Sequence, residues 1–155
     1  MYIVEMTDKN LVDVAECYVQ SWHSVYDGLY DADYVNSFNV EKVSNFLKKD
    51  SAMERITFIA YDKGNAIGFI TIDKDRCDIP RLYVLPEKQR QGLGCKLMEF
   101  GVKQLSSINR IYASLIAANV PAISFFEKYG FEFTGEQRAL KSGMLELRYV
   151  YKKKK

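Results

Sequence analysis

The sequence predicts one α/β domain, a mixed β-sheet flanked by helices. Three observations lead there. Short apolar runs interleave with segments whose apolar residues recur every three to four positions, the marks of strands and amphipathic helices in one chain. The chain has 155 residues, a comfortable length for one buried core. Near its middle, an apolar run stopped by Pro86 gives way to a glycine loop and then to a helical pattern, so a strand feeds a helix through a tight turn.

In order, Tyr2 to Met6 reads as a first strand. Thr7 or Asp8 can cap a helix, in which Leu11, Val14, Ala15, Tyr18, Val19 and Trp22 share a buried face and Gly28 is the stop. Residues 29–39 show no clear period. Asn39 caps a further helix with Val43, Phe46 and Leu47 inward. A hairpin follows: Ile56 to Asp62, a turn at Lys63-Gly64-Asn65, and a return from Ala66 to Lys74. The returning strand is apolar on both faces, as a central strand is. Asp75-Arg76-Cys77 turns the chain into Asp78 to Leu85, where Pro80 deletes a ladder donor and calls for a bulge or splay. Beyond the central helix, Ser106-Ser107-Ile108-Asn109 leads to a strand from Ile111 to Ile116, then to a helix opened by Asn119-Val120-Pro121 and closed by Gly130. A hairpin from Phe131 to Arg138 and Leu145 to Tyr151, across Lys141-Ser142-Gly143, completes the domain at residues 1–151. The last four residues, 152–155, read as a solvated basic tail.

The central stretch carries the chemistry. After Leu82 to Leu85 and Pro86, a polar loop runs from Glu87 to Gln91, then Gly92 and Gly94. Leu93, Leu97, Gly101 and Leu105 follow at intervals of four, beside Met98 and Val102. The first N–H groups of a helix lack intrahelical partners, and the helix dipole adds positive potential there. Glycines let an anion approach, and Lys88, Arg90 and Lys96 add charge, so the loop reads as a phosphate cradle. The nucleotide fingerprints fit poorly. Leu97 stands where a dinucleotide loop needs its third glycine, and the spacing of Gly92 and Gly94 is not that of a P-loop.

Composition is that of an ordinary globular chain: 48% apolar, 27% charged, net charge +2. That charge argues against nucleic acid as a partner, and no apolar run approaches a membrane span. Cys17, Cys77 and Cys95 are odd in number and far apart, which points to neither a disulfide framework nor a metal site. With no basic leader at the N-terminus, a cytoplasmic location is expected.

Gln89-x-x-Gly92-x-Gly94, preceded by Leu-Tyr-Val-x-Pro and followed by an amphipathic helix, resembles the acyl-CoA-binding motif of the GNAT superfamily of N-acetyltransferases. Downstream, Asn119-x-x-Ala122-x-x-Phe125-Phe126-Glu127-Lys128-x-Gly130-Phe131 is similar to that family's second conserved segment. The resemblance implies a mostly antiparallel mixed sheet with a splayed parallel pair of central strands. Acetyl-CoA is the implied cosubstrate, its pantetheine arm adding to the sheet in the splay. It implies a primary amine, small molecule or peptide, as acceptor, direct transfer in a ternary complex, and a homodimer. Backbone groups of Leu82, Tyr83 and Val84 would pair with pantetheine, and one N–H near Val84 would form an oxyanion hole. Gln89, Arg90, Gln91, Gly92, Leu93, Gly94, Cys95 and Lys96 would hold the pyrophosphate. Asn119, Phe125, Phe126 and Lys128 complete the CoA side.

Ser-Trp-x-x-x-Tyr-x-Gly, with Trp22, Tyr26, Asp27 and Tyr30, resembles a segment beside the acceptor site in some members. Trp22 and Tyr26 also read simply as the end of a core helix face. Asp78 stands where some members carry a catalytic glutamate; one carbon shorter, it would act as base through water, and a solvated strand-start acid is the plainer reading. His23, the one histidine, is a weaker candidate base or a structural residue. The family commonly has a tyrosine acid at the position of Phe126, and a phenyl ring donates no proton. Tyr129 and Tyr26 are then the candidate acids. A non-catalytic acyl-CoA-binding module with a decayed acceptor site is the alternative that Phe126 favours.

Overall fold

The computed structural model describes residues 1–50, 52–107 and 109–153; Ile108 of the expected link, and Lys154 and Lys155 of the expected tail, lie outside them. Among the described residues the strands are β1 (Tyr2–Glu5), β2 (Arg55–Asp62), β3 (Asn65–Asp73), β4 (Asp78–Val84), β5 (Arg110–Ile116), β6 (Glu132–Ala139) and β7 (Leu145–Lys152). The helices are α1 (Leu11–Tyr26), α2 (Ala32–Ser37), α3 (Val40–Asp50), α4 (Leu93–Gln104) and α5 (Val120–Tyr129). One sheet runs in the order β1-β2-β3-β4-β5-β7-β6. Neighbours are antiparallel except β4 and β5.

The strand at the centre explains the layers. Ile67 to Asp73 of β3 are all buried, because helices cover both faces. Ile70 and Ile72 meet Leu97, Met98 and Leu105 beside α4, with Phe126 of α5 in the same core. Phe69, with Ile59 and Tyr61 of β2, meets Leu11, Val14 and Ala15 of α1 and Val43 and Leu47 of α3. Each large side chain so buried contributes roughly 1.5–3 kcal/mol.

Several local expectations are corrected. The polar residues before α1 are spent on their own turn: Asn10 Oδ1 accepts from Thr7 N–H at 2.7 Å and Thr7 Oγ1 from Lys9 N–H at 3.3 Å. Neither Thr7 nor Asp8 caps the helix. Asn39 does cap α3, accepting from Lys42 N–H at 2.9 Å. Phe46 of α3 is exposed rather than inward, with the Lys42 ammonium 5.9 Å from its ring centre. Residues 32–37, without legible period, form α2, six residues long with Val35 buried. The hairpin turn is two residues, Lys63 (φ 52°) and Gly64 (φ 80°), a pairing of positive φ angles that suits the strand twist; Asn65 already pairs with Asp62. The sheet also takes in the first residue of the tail: Lys152 ends β7, and Lys153 Nζ donates to the carbonyls of Val102 and Leu105 at the end of α4, at 3.4 and 2.6 Å. An ammonium there satisfies carbonyls the helix leaves open.

Pro80 behaves as its missing donor requires. Thr71 pairs with Arg81 and Asp73 with Asp78, so β4 carries one residue more than β3 between these pairs, a bulge. On its other side β4 meets β5 at Asp78 and Tyr112, where Tyr112 N–H donates to Cys77 C=O at 2.9 Å. Among the described residues the two strands pair nowhere else, and the parallel pair is splayed.

Candidate active site

The splay leaves backbone groups facing a gap. In an antiparallel ladder, alternate residues turn their N–H and C=O toward one neighbour. Leu85 gives its N–H to Ile67 of the β3 side at 3.0 Å. Leu82 and Val84, out of phase with it, therefore present theirs toward β5, which has moved away; Tyr83, in phase, faces β3. Val84 C=O accepts from Gln89 Nε2 at 3.1 Å, tying the strand end to the loop.

At the mouth of the gap the chain makes a short 3-10 turn, Pro86–Lys88, and then the glycine loop. Arg90 (φ 62°) and Gly92 (φ 80°) both adopt left-handed conformations. Alternating backbone hands turn successive N–H groups to one side and form an anion-binding concavity. Gly92 is the N-cap of α4, so this concavity opens onto the helix's free N–H groups. A Cβ on Gly94 would lie 3.1 Å from the Phe125 ring; glycine there lets α4 and α5 close together at the site. Gln89, Arg90, Gln91, Cys95 and Lys96 are exposed around the loop, while Leu93 anchors it in the core. Asn119 is the N-cap of α5, its Oδ1 accepting from Ala122 N–H at 3.3 Å. Phe126 is buried against Phe131, and Lys128 is exposed on the last turn of α5.

On the opposite face, an aromatic wall rises from α1 and the segment after it. Trp22 stacks on Phe38 with ring centres 4.3 Å apart and packs with Tyr26, Val35 and Met144, flanked by Tyr30, Ile116 and Leu140. Tyr26 is 2% exposed. Burial pushes its phenol up to about 12, against a hydrogen bond from Asn119 that lowers it. His23 has both nitrogens engaged, Nδ1 with Asp27 Oδ1 at 2.7 Å and Nε2 with Phe38 C=O at 2.8 Å. It is a clamp between α1 and the end of α2. Burial alone would lower its pKa, but these two acceptors raise it. Asp27 serves that clamp and is otherwise largely exposed.

Asp78 lies at the closed end of the splay. Its Oδ2 stands 3.6 Å from Arg148 Nη1, and its Oδ1 is buried without a hydrogen-bond partner among the described residues. Burial raises its pKa above the usual carboxylate range, Arg148 opposes the shift, and Asp73 adds to it. Tyr129 is not brought to this group. It packs on Phe131 and Tyr151, in the α5 layer with Cys95 and Glu99 of α4 nearby. It and Phe126 stand with the helices on one face, whereas Trp22, Tyr26, Asp27 and Tyr30 lie on the other.

Tyr18, Arg81, Asp50 and Arg148 are site neighbours that sequence reasoning missed. Tyr18 of α1 packs between Phe38, Phe69 and Tyr83 with the Arg81 guanidinium over its ring. Arg81 in turn is forked onto Asp50 of α3. Period-two alternation puts Arg148 on one face of its strand, but only the sheet order shows that this face borders the gap.

A family model described as an acetyltransferase (GNAT) domain matches residues 29–152. The chain belongs to the GNAT family. This GNAT chain is 32% identical over 125 residues to an N-acetyltransferase of Archaeoglobus fulgidus, covering 72% of the chain and 79% of that protein. It is 29% identical over 138 residues to the N-acetyltransferase YuaI of Bacillus subtilis, covering 83% and 78%. Over 82 residues it is 30% identical to the B. subtilis spermine/spermidine N(1)-acetyltransferase, covering 51% of the chain and 49% of that enzyme. The PaiA N-acetyltransferase of Thermoplasma acidophilum, solved in complex with coenzyme A, shares the fold with a TM-score of 0.74 at 22% identity, covering 99% and 100% of the two chains. Family and relatives make the protein an N-acetyltransferase. Among the described residues, no helix is long and apolar enough to cross a membrane.

Proposed function

We propose that the protein moves an acetyl group from acetyl-CoA directly to a primary amine, both bound at once. The observation that carries this reading is the splayed β4–β5 pair with the glycine loop at its mouth. The free backbone N–H and C=O of Leu82 pair with the pantetheine arm. The N–H groups from Arg90 to Cys95 take the pyrophosphate, aided by the Arg90 and Lys96 side chains; the Gln89 N–H is spent on Pro86 C=O at 3.3 Å. Asn119 and Phe125 border the arm, and Lys128 offers a further cation on that side. The PaiA structure, solved with coenzyme A, and the shared fold support the cosubstrate.

Chemically, the amine must lose a proton and the thiolate must be accommodated. A lysine-like amine is neutral in about one molecule in a few thousand at pH 7, so a base accelerates attack. Asp78, its basicity raised by burial, takes this proton through water. The N–H of Val84 stabilises the tetrahedral oxyanion. Tyr26 donates to the leaving sulfur: its buried phenol, pushed up to about 12, stays protonated at neutral pH. This assigns to α1 the donor that Phe126 does not supply. Trp22, Tyr26 and Tyr30 wall the acceptor, and a relative named for spermine and spermidine puts polyamines among the amines to assay.

Calorimetric titration with acetyl-CoA followed by thiol-release assays over an amine panel tests the proposal. Binding near one per chain with amine-dependent CoA release is expected. Binding without release for any amine would favour a non-catalytic module; no binding by folded protein would end both readings.

A further inference from the structure

The sheet floor beside the gap holds an opposite-charge pair whose members do not satisfy one another. Arg148 lies with its guanidinium carbon 4.9 Å from the centre of the Tyr112 ring. Its Nη1 donates to Ser114 Oγ at 2.9 Å, and stands 3.6 Å from Asp78 Oδ2, too far for a hydrogen bond. A guanidinium carries five N–H donors. The structure gives Nε and Nη2 of Arg148 no partner among the described residues, and the side chain is 28% exposed. The neighbouring arginines differ: Arg81 is forked onto Asp50 and Arg138 is bonded to Glu146 at 2.9 Å. Arg148 is therefore held in place by a ring and a hydroxyl, with donors to spare. A planar fork of this kind is the geometry that recognises carboxylates.

We propose that Arg148 binds a carboxylate of the acceptor, so that the acceptor is an amine with a carboxylate on the neighbouring carbon, as in an α-amino acid. The inference rests on the acetyltransferase reading above and names the acceptor class. The two charges of such a zwitterion match the two halves of the pair. Its carboxylate takes the free edge of Arg148, and its ammonium is drawn to the Asp78 carboxylate, whose Oδ2 stands 3.6 Å from that guanidinium. A polyamine meets a fixed cation here and has no anion to offer it. Once the carboxylate neutralises Arg148, the guanidinium pulls less on Asp78, which is left better able to accept the amine's proton.

The test is thiol release with acetyl-CoA and a panel of α-amino acids, each paired with its carboxamide, alongside spermidine. The wild type is expected to prefer at least one acid over its carboxamide by tenfold or more in kcat/KM. Arg148→Gln should erase that preference, mainly by raising the KM of the acid, while acetyl-CoA affinity, the check on folding, stays in place. Arg148→Lys, which keeps the charge and loses the fork, should restore part of the preference. Turnover of carboxamides or spermidine as efficient as that of the acids, or a preference that survives Arg148→Gln, overturns this inference and leaves the acetyltransferase reading standing. CoA release with no amine at all overturns both.

Discussion

Arg81 and Asp50 face each other through a buried fork, Nη1 to Oδ2 at 2.5 Å and Nη2 to Oδ1 at 3.4 Å, with side chains only 10% and 5% exposed. The pair joins the last residue of α3 to β4, the strand whose far side opens into the gap. Arg55 adds a second cation 3.8 Å from Asp50 and 3.5 Å from Asp73. Removing one member leaves the other charged and buried, which costs about 3–5 kcal/mol. Asp50→Ala should lower stability by that amount in denaturant unfolding. A loss below about 1 kcal/mol would mean that water reaches Arg81 and the fork is a surface contact.

Gly92 is the turning point of the loop. No atom would crowd a Cβ there, but φ is 80°, and a β-branched side chain tolerates that region poorly. Gly92→Val therefore acts through backbone strain, at about 1–3 kcal/mol, and swings the N–H groups away from one another. Acetyl-CoA affinity should fall by at least tenfold in calorimetry while circular dichroism still reports the fold. Unchanged affinity would remove the loop from the pyrophosphate site.

Residues 82–105 were legible because their signals are local: a proline stop, two glycines, and apolar residues four apart. The bulge at Pro80 was legible for the same reason, since a missing donor has only a few remedies. The pairs Asp50–Arg81 and Asp78–Arg148 were not, because they join elements distant in sequence and depend on strand order. Helix α2 was missed because six residues are too few to display a period, and its Val35 docks against Trp22 and Tyr26, side chains from another element. Trp22 was legible as the end of a core helix face, and it is buried in a cluster with Tyr26, Val35 and Met144.

His23 links pH to the geometry of the aromatic wall. Asp27 and the Phe38 carbonyl both accept from its ring, so the clamp is complete only in the imidazolium. The folded pKa is raised above the unfolded value of about 6.5. The stabilisation is thus fully present below about pH 6.5 and is lost as pH rises through the folded value. His23→Gln should cost up to about 1 kcal/mol at pH 5.5 and less at pH 9. Equal losses at both pH values would make the clamp a packing effect alone.

Tyr26→Phe removes the hydroxyl and leaves the ring in its cluster. If Tyr26 protonates the leaving thiolate, release without it carries a penalty of roughly 2 kcal/mol at pH 7 for a thiol near 8.5. Turnover should fall about thirtyfold with acetyl-CoA affinity changed less than threefold. A loss confined to acetyl-CoA affinity would instead make the hydroxyl a support for Asn119.

Asp78→Asn separates basicity from shape. The amide keeps the volume of the carboxylate beside Arg148 and can accept no proton at neutral pH. In the wild type, kcat/KM for a fixed amine should fall on the acid side along a limb lying above the ordinary carboxylate range, because burial and Asp73 raise this group against the pull of Arg148. The variant should lose that limb and, near neutrality, at least a hundredfold in kcat/KM, the low end of what a positioned base contributes. Acetyl-CoA affinity should hold, since Asp78 sits at the closed end of the splay, several residues before the gap-facing edge of Leu82 and Val84. A wild-type profile in the variant would assign the proton to bulk water and leave Asp78 as the counter-charge that orients Arg148.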